Sequence, residues 1–156
     1  MTEDPRPEAP SDAVVRRVRE IRKRRGWSAA RLAAECAKVG ASQLTESIIA
    51  NLEAGRRQQG VTVDELLVLA VVLNVAPVHL LVPPEAWDEQ GGEVPYPITP
   101  TRAEQASTVR EWVRGMPLPG TDLRDFLSQV PEHELRDLVE RVAGRDLAEQ
   151  EPEKED

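Results

Sequence analysis

Apolar residues recur at helical spacing from the start of the first ordered segment. Val14, Val18 and Ile21 fall at i, i+4 and i+7, which places them on one face of a helix. Ser11 stands just before this pattern and is a typical N-cap residue, and Gly26 is a typical C-terminal breaker. The pattern therefore predicts a first helix between Ser11 and Gly26.

Caps and breakers divide the next segment into further short helices. Ser28 is the predicted N-cap of a second helix that ends at Gly40, and Thr45 is the predicted N-cap of a third helix that ends at Gly55. The apolar positions expected to face inward are Leu32, Ala33, Cys36 and Val39 in the second helix, and Ile49 and Leu52 in the third. The third helix is short, and its other face is left to contact something else.

A capping box and a run of leucines predict a fourth helix. Thr62 and Glu65 have the Thr-x-x-Glu spacing in which each side chain satisfies a backbone N–H of the first turn. A fifth short turn of helix, residues 78–81, precedes two prolines. The apolar run 66–82 contains Asn74, a proline and a histidine, so it predicts a core helix and a turn rather than a membrane span.

The remaining segments differ in composition from this five-helix region, residues 11–84. Residues 1–10 contain three prolines and no apolar periodicity, which predicts a disordered N-terminal arm. Residues 85–102 are rich in glycine, proline and acid, which predicts a linker. Residues 103–145 predict short amphipathic helices, and residues 146–156 an acidic tail that frays. The C-terminal helices have three candidate roles: packing on the first domain, dimerisation, or binding a protein partner.

Composition points to an all-α protein. Hydrophobic residues make up 40% of the chain but aromatic residues only 3%, so the core must be aliphatic, which favours packed helices over a β-sandwich. Cys36 is the single cysteine, so no internal disulfide and no multi-cysteine zinc site can form. No charged and apolar leader opens the sequence. A reducing cytoplasm is the expected compartment.

Charge is distributed unevenly along the chain, whose formal net charge is -8. Residues 12–60 carry eleven basic and five acidic side chains, a local net charge of +6, and the remainder carries nine basic and twenty-three acidic ones, a net charge of -14. Salt screens distant charges beyond roughly 10 Å, so a basic segment can meet phosphate although the chain is acidic. Either a nucleic-acid surface or a solvated charged surface explains this block.

The order of these features resembles a known family. The segments WSAARLAAECAKVGASQLTESIIANLEAG and VTVDELLVLAVVLNV are similar to the lambda-repressor-like helix-turn-helix domain of Cro and repressor type, the XRE family of bacterial and phage transcription regulators. The resemblance covers residues 11–82. It implies a DNA-binding regulator, a repressor, that inserts helix 45–54 into the major groove of double-stranded DNA as a homodimer. The segment between Leu32-Ala33 and the third helix is several residues longer than in the tightest family members.

The resemblance also implies which residues read bases. The base-reading positions of the family fall at Glu46, Ser47 and Asn51. The amide of Asn51 can pair with adenine through two hydrogen bonds, whereas a serine hydroxyl discriminates weakly among bases. Glu46 has two interpretations: its carboxylate accepts from cytosine, or it suits the positive end of the helix and is repelled by phosphate.

Four further residues are the predicted phosphate contacts by the same resemblance. They are Ser28, Arg31, Arg56 and Arg57. The alternative for the two arginines after Gly55 is a solvated basic loop. The family also implies a salt bridge between Arg22, late in the first helix, and Glu53, at the end of the third, with a structural role and no contact to bases.

Catalysis is not expected from this sequence. His79 and His133 have no metal-ligand spacing to another histidine or to cysteine, and Cys36 lies on a predicted core face. No glycine-rich phosphate loop occurs, so we predict no enzyme activity, no metal and no cofactor. The alternative to a DNA-binding regulator is an antitoxin-like or adaptor protein that acts through protein contacts of its acidic C-terminal half.

Overall fold

The computed structural model describes residues 9–82 and 92–150, and the side chains of these residues up to 145. The chain divides into two compact units, of which the first ends at Ala106 and the second begins at Ser107. Within the described ranges, no helix has both the length and the apolar character that a membrane crossing requires.

Five helices form most of the first unit. They are α1 (Pro10–Arg24), α2 (Ala29–Lys38), α3 (Glu46–Glu53), α4 (Val63–Val72) and α5 (Pro77–Leu81). Ser28, Thr45 and Thr62 cap α2, α3 and α4 with their side-chain oxygens, and the capping box of α4 is complete. These caps satisfy backbone N–H groups that have no partner inside the helix.

The start of α1 differs from the prediction. The helix begins at Pro10 with Ala9 in the N-cap position and no side-chain cap, so Ser11 lies inside the helix rather than before it. Proline suits the first helical position, because its backbone angle is already helical and its missing N–H would have no partner there. The predicted disordered arm 1–10 is therefore wrong at Pro10, and residues 1–8 lie outside the described residues.

An aliphatic core holds these helices together. Its largest fully buried side chains come from all five helices and from the connection between α2 and α3. They include Leu32, Leu44, Ile49, Leu69, Leu73 and Leu80. Cys36 is also fully buried in this cluster, and burial raises the pKa of its thiol. A thiol in such an environment is a poor nucleophile and behaves as a small apolar residue.

Gly60 lets the connection between α3 and α4 approach the first turn of α1. A Cβ atom at Gly60 would lie only 2.8 Å from the Cβ and Oγ atoms of Ser11. No side chain fits at that distance unless the backbone shifts. The close approach of this connection to α1 therefore requires glycine at position 60.

The all-α prediction is wrong, because the first unit also contains a two-stranded antiparallel sheet. Strand β1 (Pro95–Thr99) pairs with β2 (Arg102–Gln105), with Tyr96 opposite Glu104. The glycine, proline and acid content of residues 85–102 predicts a linker, and this prediction is wrong from Pro95 onward. Both strands are edge strands, where proline is tolerated because a backbone N–H on the open side needs no partner.

Tyr96 attaches this hairpin to the helices of the first unit. Its side chain is only 9% exposed, and its hydroxyl donates a hydrogen bond of 2.5 Å to the carbonyl oxygen of Leu81, the last residue of α5. The carbonyls of a final helical turn have no partner within the helix. One aromatic side chain therefore both fills space and satisfies such a carbonyl.

Three helices lie between Ala106 and Gln150. They are α6 (Ala106–Val113), α7 (Leu123–Ser128) and α8 (Glu132–Gln150). Asp122 caps α7 by accepting hydrogen bonds from two backbone N–H groups. Helix α8 includes the first five residues of the predicted acidic tail, 146–156, and the fraying of that tail stays a prediction. Residues 151–156 lie outside the described part of the chain.

We expect Tyr96→Phe to lower the stability of the first unit. The substitution leaves the buried ring but removes the hydrogen bond to the Leu81 carbonyl, a loss worth about 1 kcal/mol. Thermal unfolding followed by circular dichroism measures this, with Thr101→Val, an exposed change in the turn of the hairpin, as control. Equal melting temperatures for Tyr96→Phe and the wild type would contradict the role given to Tyr96.

Candidate nucleic-acid interface

Helix α3 has one buried side, which fixes how it lies on the first unit. The Thr45 hydroxyl accepts a hydrogen bond of 3.4 Å from the Ile48 backbone N–H and so starts the helix. Ile49 and Leu52 are buried three residues apart, and they point into the core. Ile48 is half-buried and packs against the same core. The orientation of α3 about its own axis is therefore set by packing.

The opposite side of α3 is solvent-exposed and brings the three predicted base readers together. Glu46, Ser47, Ala50 and Asn51 are all exposed. At about 100° per residue these positions span an arc of about 140° on the helix surface. The Ser47 hydroxyl lies 3.1 Å from that of Thr45, and the Asn51 amide forms no side-chain hydrogen bond within the described residues. The arc thus presents hydrogen-bonding groups that other molecules can reach.

Glu46 lies in the first turn of α3, with its side chain in solvent. The positive end of the helix dipole favours a carboxylate there. This placement suits a role in helix stability as well as a contact to cytosine, so both interpretations of Glu46 remain predictions.

Arg22 and Glu53 form a largely buried ion pair that joins α1 to the end of α3. The guanidinium Nε lies 2.7 Å from Oε1 of Glu53 and Nη2 lies 2.6 Å from Oε2. The two side chains are only 11% and 9% exposed. Arg22 also donates from Nη1 to the carbonyl oxygen of Trp27 at 2.6 Å. The hydrogen bond with Glu53 is the main cause that raises the pKa of Arg22 above its ordinary value.

Two of the predicted phosphate contacts already have partners within the chain. Nη1 of Arg57 lies 2.8 Å from Oε1 of Glu65, and both side chains are mostly buried. Nε of Arg31 lies 2.8 Å from Oε1 of Glu35. The guanidinium carbon of Arg31 also lies over the ring of Trp27, 5.7 Å from the ring centre. A phosphate would have to compete with these carboxylates for each guanidinium.

The other two predicted phosphate contacts are differently placed. Arg56 is exposed and forms no ion pair with any residue that the structure describes. The Ser28 hydroxyl accepts a hydrogen bond of 3.0 Å from the Arg31 backbone N–H, so it serves as the cap of α2. Arg56 is therefore the predicted phosphate contact most accessible to an anion.

Sequence reasoning missed Trp27, which lies directly before α2. Its ring is half-buried and has the guanidinium of Arg25 5.3 Å from its centre, in addition to that of Arg31. Arg25 also donates to the Leu73 carbonyl oxygen at 2.6 Å. A tryptophan two residues after one arginine and four residues before another was the available signal. These contacts give the exposed residues Arg25 and Arg31 a local structural role that their charge alone does not indicate.

Glu65 links two segments: the loop between α3 and α4, through Arg57, and the start of α4, through Thr62. It accepts from the Thr62 backbone N–H at 3.0 Å in the capping box and from Arg57 at 2.8 Å. Burial raises the pKa of Glu65, but these hydrogen bonds together outweigh burial, so its pKa lies below the ordinary value. One carboxylate therefore stabilises both a helix start and the position of Arg57.

Comparisons of the chain with protein-family models, with curated proteins and with solved structures find no match. The likeness to the XRE family therefore remains a prediction from the sequence. Among the described residues, no three side chains of His, Cys, Asp or Glu are grouped so that they could hold a metal ion.

We expect Arg22→Ala to destabilise the first unit strongly. The substitution leaves the Glu53 carboxylate mostly buried without its partner, and breaking a buried pair in this way costs on the order of 3–5 kcal/mol. The melting temperature measures the loss. Arg24→Ala, an exposed arginine of the same helix, is the matched control. If both variants melt like the wild type, Arg22 does not hold α3 in place.

Glu65 should also make stability depend on pH. Its folded-state pKa lies below the ordinary value of 4.5, so its contribution is fully present above that value and is lost as the pH falls through the folded-state pKa. The difference in melting temperature between wild type and Glu65→Gln should therefore shrink as the pH drops below 4.5. Asp64→Asn, an exposed change on the same helical turn, is the control. A difference that stays constant with pH would rule out this linkage.

Proposed function

We propose that this chain is a sequence-specific DNA-binding transcriptional regulator that acts as a repressor and inserts helix 45–54 into the major groove. One observation carries the proposal. Helix α3 exposes Glu46, Ser47 and Asn51 on a single arc while its opposite side is fixed in an aliphatic core. Groove recognition requires a helix that the core holds in a fixed orientation and that exposes polar side chains on its outer face.

Asn51 is the principal base reader in this proposal. Its exposed amide offers a donor and an acceptor, which match N7 and the N6 amino group of adenine. Ser47 contributes a weaker preference because a hydroxyl both donates and accepts. Glu46 either accepts from the amino group of cytosine or disfavours a phosphate close to its carboxylate.

Arg56 is the principal phosphate contact. It is exposed and follows directly after the end of α3, and a phosphate contact there would set the register of the helix in the groove. Arg57 and Arg31 add to the local positive potential while they remain paired with Glu65 and Glu35. The first turn of α2 offers backbone N–H donors beside Ser28 to a phosphate.

The proposal includes a second copy of the chain and a cytoplasmic setting. Small helix-turn-helix proteins gain specificity from two half-sites read by a symmetric dimer. The lone buried thiol of Cys36 suits a reducing compartment where duplex DNA is present. No catalytic step and no cofactor enter this function. The second unit remains available for a protein partner.

Mobility shift assays with duplexes selected from a random library test this function. Asn51→Ala should reduce the preference for the selected sequence by about tenfold or more, because a bidentate base contact is worth about 1–3 kcal/mol of discrimination. Arg56→Ala should weaken binding to all duplexes and make the salt dependence shallower, because one phosphate contact is lost. Arg124→Ala, an exposed arginine of the second unit, is the control and should bind like the wild type.

Two outcomes would contradict the proposal. The first is a wild-type chain that selects no sequence and binds only in a salt-labile manner, and the second is a wild-type chain that does not bind duplex DNA at all. Either result would favour the adaptor or antitoxin-like function instead. Equal sequence preference of the wild type and Asn51→Ala would remove Asn51 from the reading face.

A further inference from the structure

Two clefts in the second unit share two arginines in their lining. The larger cleft has a volume of about 400 Å³ and the smaller one about 360 Å³, and Arg114 and Arg141 line both. Small-molecule sites in proteins have volumes of roughly 300–1,000 Å³. A small ligand in either cleft would therefore lie beside both arginines.

The way in which α6 ends brings Arg114 to the clefts. Gly115 has a positive φ of 97°, the left-handed conformation that ends many helices, and the Met116 backbone N–H donates to the Glu111 carbonyl oxygen at 3.0 Å. The chain then turns inward, since Met116 and Leu118 are only 7% and 8% exposed. Arg114 directly precedes this turn, and its side chain is exposed. The helix end therefore fixes the backbone from which Arg114 extends.

Arg141 lies on the side of α8 that packs within the second unit. Leu138, Arg141 and Arg145 fall at i, i+3 and i+7, so they share one side of the helix. Leu138 is buried, and Arg145 donates from Nη1 to the Pro117 carbonyl oxygen at 3.2 Å. Arg141 lies between these two contacts but is itself exposed. It forms no hydrogen bond or ion pair with any residue that the structure describes, so its guanidinium is open to a ligand.

Part of the lining of the larger cleft is apolar. Phe126 and Val130 line it and are half-buried, and Leu138 lines it and is buried. Apolar side chains together with a few polar groups are typical of small-molecule sites, where the polar groups fix the orientation of the ligand. The larger cleft therefore suits a ligand that has an anionic end and an apolar body.

The charge of the lining matches a single negative charge. Across the two clefts, three arginines stand against two glutamates, Glu111 and Glu134, which leaves a net charge of +1. Residues 107–156 as a whole carry seven basic and thirteen acidic side chains, a net charge of -6. A nucleic acid or an anionic lipid surface is therefore disfavoured, because such a large polyanion meets the acidic surroundings of the clefts. A small anion meets mainly the lining.

We propose that the larger cleft binds a small organic monocarboxylate with an aromatic or aliphatic body. Arg114 and Arg141 hold the carboxylate, because the planar guanidinium group donates two parallel hydrogen bonds to a carboxylate. The apolar body lies against Phe126 and Val130. A doubly charged phosphate fits less well, since its second charge exceeds the net charge of the lining and is repelled by Glu134. The inference concerns the second unit alone and does not depend on DNA binding.

NMR titration of the isotope-labelled full chain with naphthoate and with octanoate tests this inference. At least one of these carboxylates should shift the backbone amide signals of residues that line the larger cleft, and the shifts yield a dissociation constant. The neutral amide of the bound acid has almost the same shape and should bind about tenfold more weakly or worse, because it loses the charge-assisted hydrogen bonds. Inorganic phosphate should also bind more weakly, because it has no apolar body.

Arg141→Gln should raise the dissociation constant of the carboxylate by about tenfold or more, because one guanidinium is lost. Arg141→Lys keeps the charge but not the paired donors, so its dissociation constant should lie between those of the wild type and Arg141→Gln. Arg136→Gln is the matched control, because Arg136 is an exposed arginine of the same helix that lies outside both clefts. It should bind like the wild type. Both positions are exposed, so circular dichroism should show unchanged helix content.

Four results would overturn the inference. Neither carboxylate shifts the signals of the larger cleft, or the neutral amide binds as tightly as the acid, which means that no anion is recognised. Phosphate binds as tightly as the carboxylates, which means that the apolar lining contributes nothing. Arg141→Gln and Arg136→Gln have equal dissociation constants, which removes Arg141 from the site.

Discussion

The ion pair between Arg22 and Glu53 is the constraint on which the candidate interface depends. Aliphatic packing alone fixes which side of α3 faces the core, but leucine and isoleucine side chains tolerate small rotations and shifts of a short helix. Two parallel hydrogen bonds between a guanidinium and a carboxylate add a directional contact at one end of that helix. Because Arg22 also bonds to the Trp27 carbonyl, the same side chain relates α1, α3 and the start of α2.

Ion pairs within the first unit reduce the number of its arginine side chains that are available to an external anion. Arg57 and Arg31 each have a carboxylate close by, and Arg25 and Arg31 both lie over the Trp27 ring. These arginines therefore stabilise the local structure as well as adding to the positive electrostatic potential of the surface. A surface of this kind attracts anions through its field but offers few guanidinium groups that are ready for direct contact.

The helices of the first unit could be predicted because their signals are local. Ser28, Thr45 and Thr62 cap helices within three residues of themselves, and the apolar spacing shows which side is buried. The hairpin after α5 could not be predicted in this way, because Tyr96 acts through a carbonyl fifteen residues away and its flanking prolines suggest a linker. The ion pair of Arg57 with Glu65 could not be predicted for a related reason, because the capping box alone accounts for a glutamate at position 65.

The close contact of Gly60 with Ser11 has a consequence for the way the protein is handled. It allows the beginning of α1 to lie beside the connection that follows α3 and carries Arg56. A segment fused directly ahead of α1 would therefore join the first unit beside the connection that carries Arg56. A segment fused directly after α8 would join the second compact unit instead.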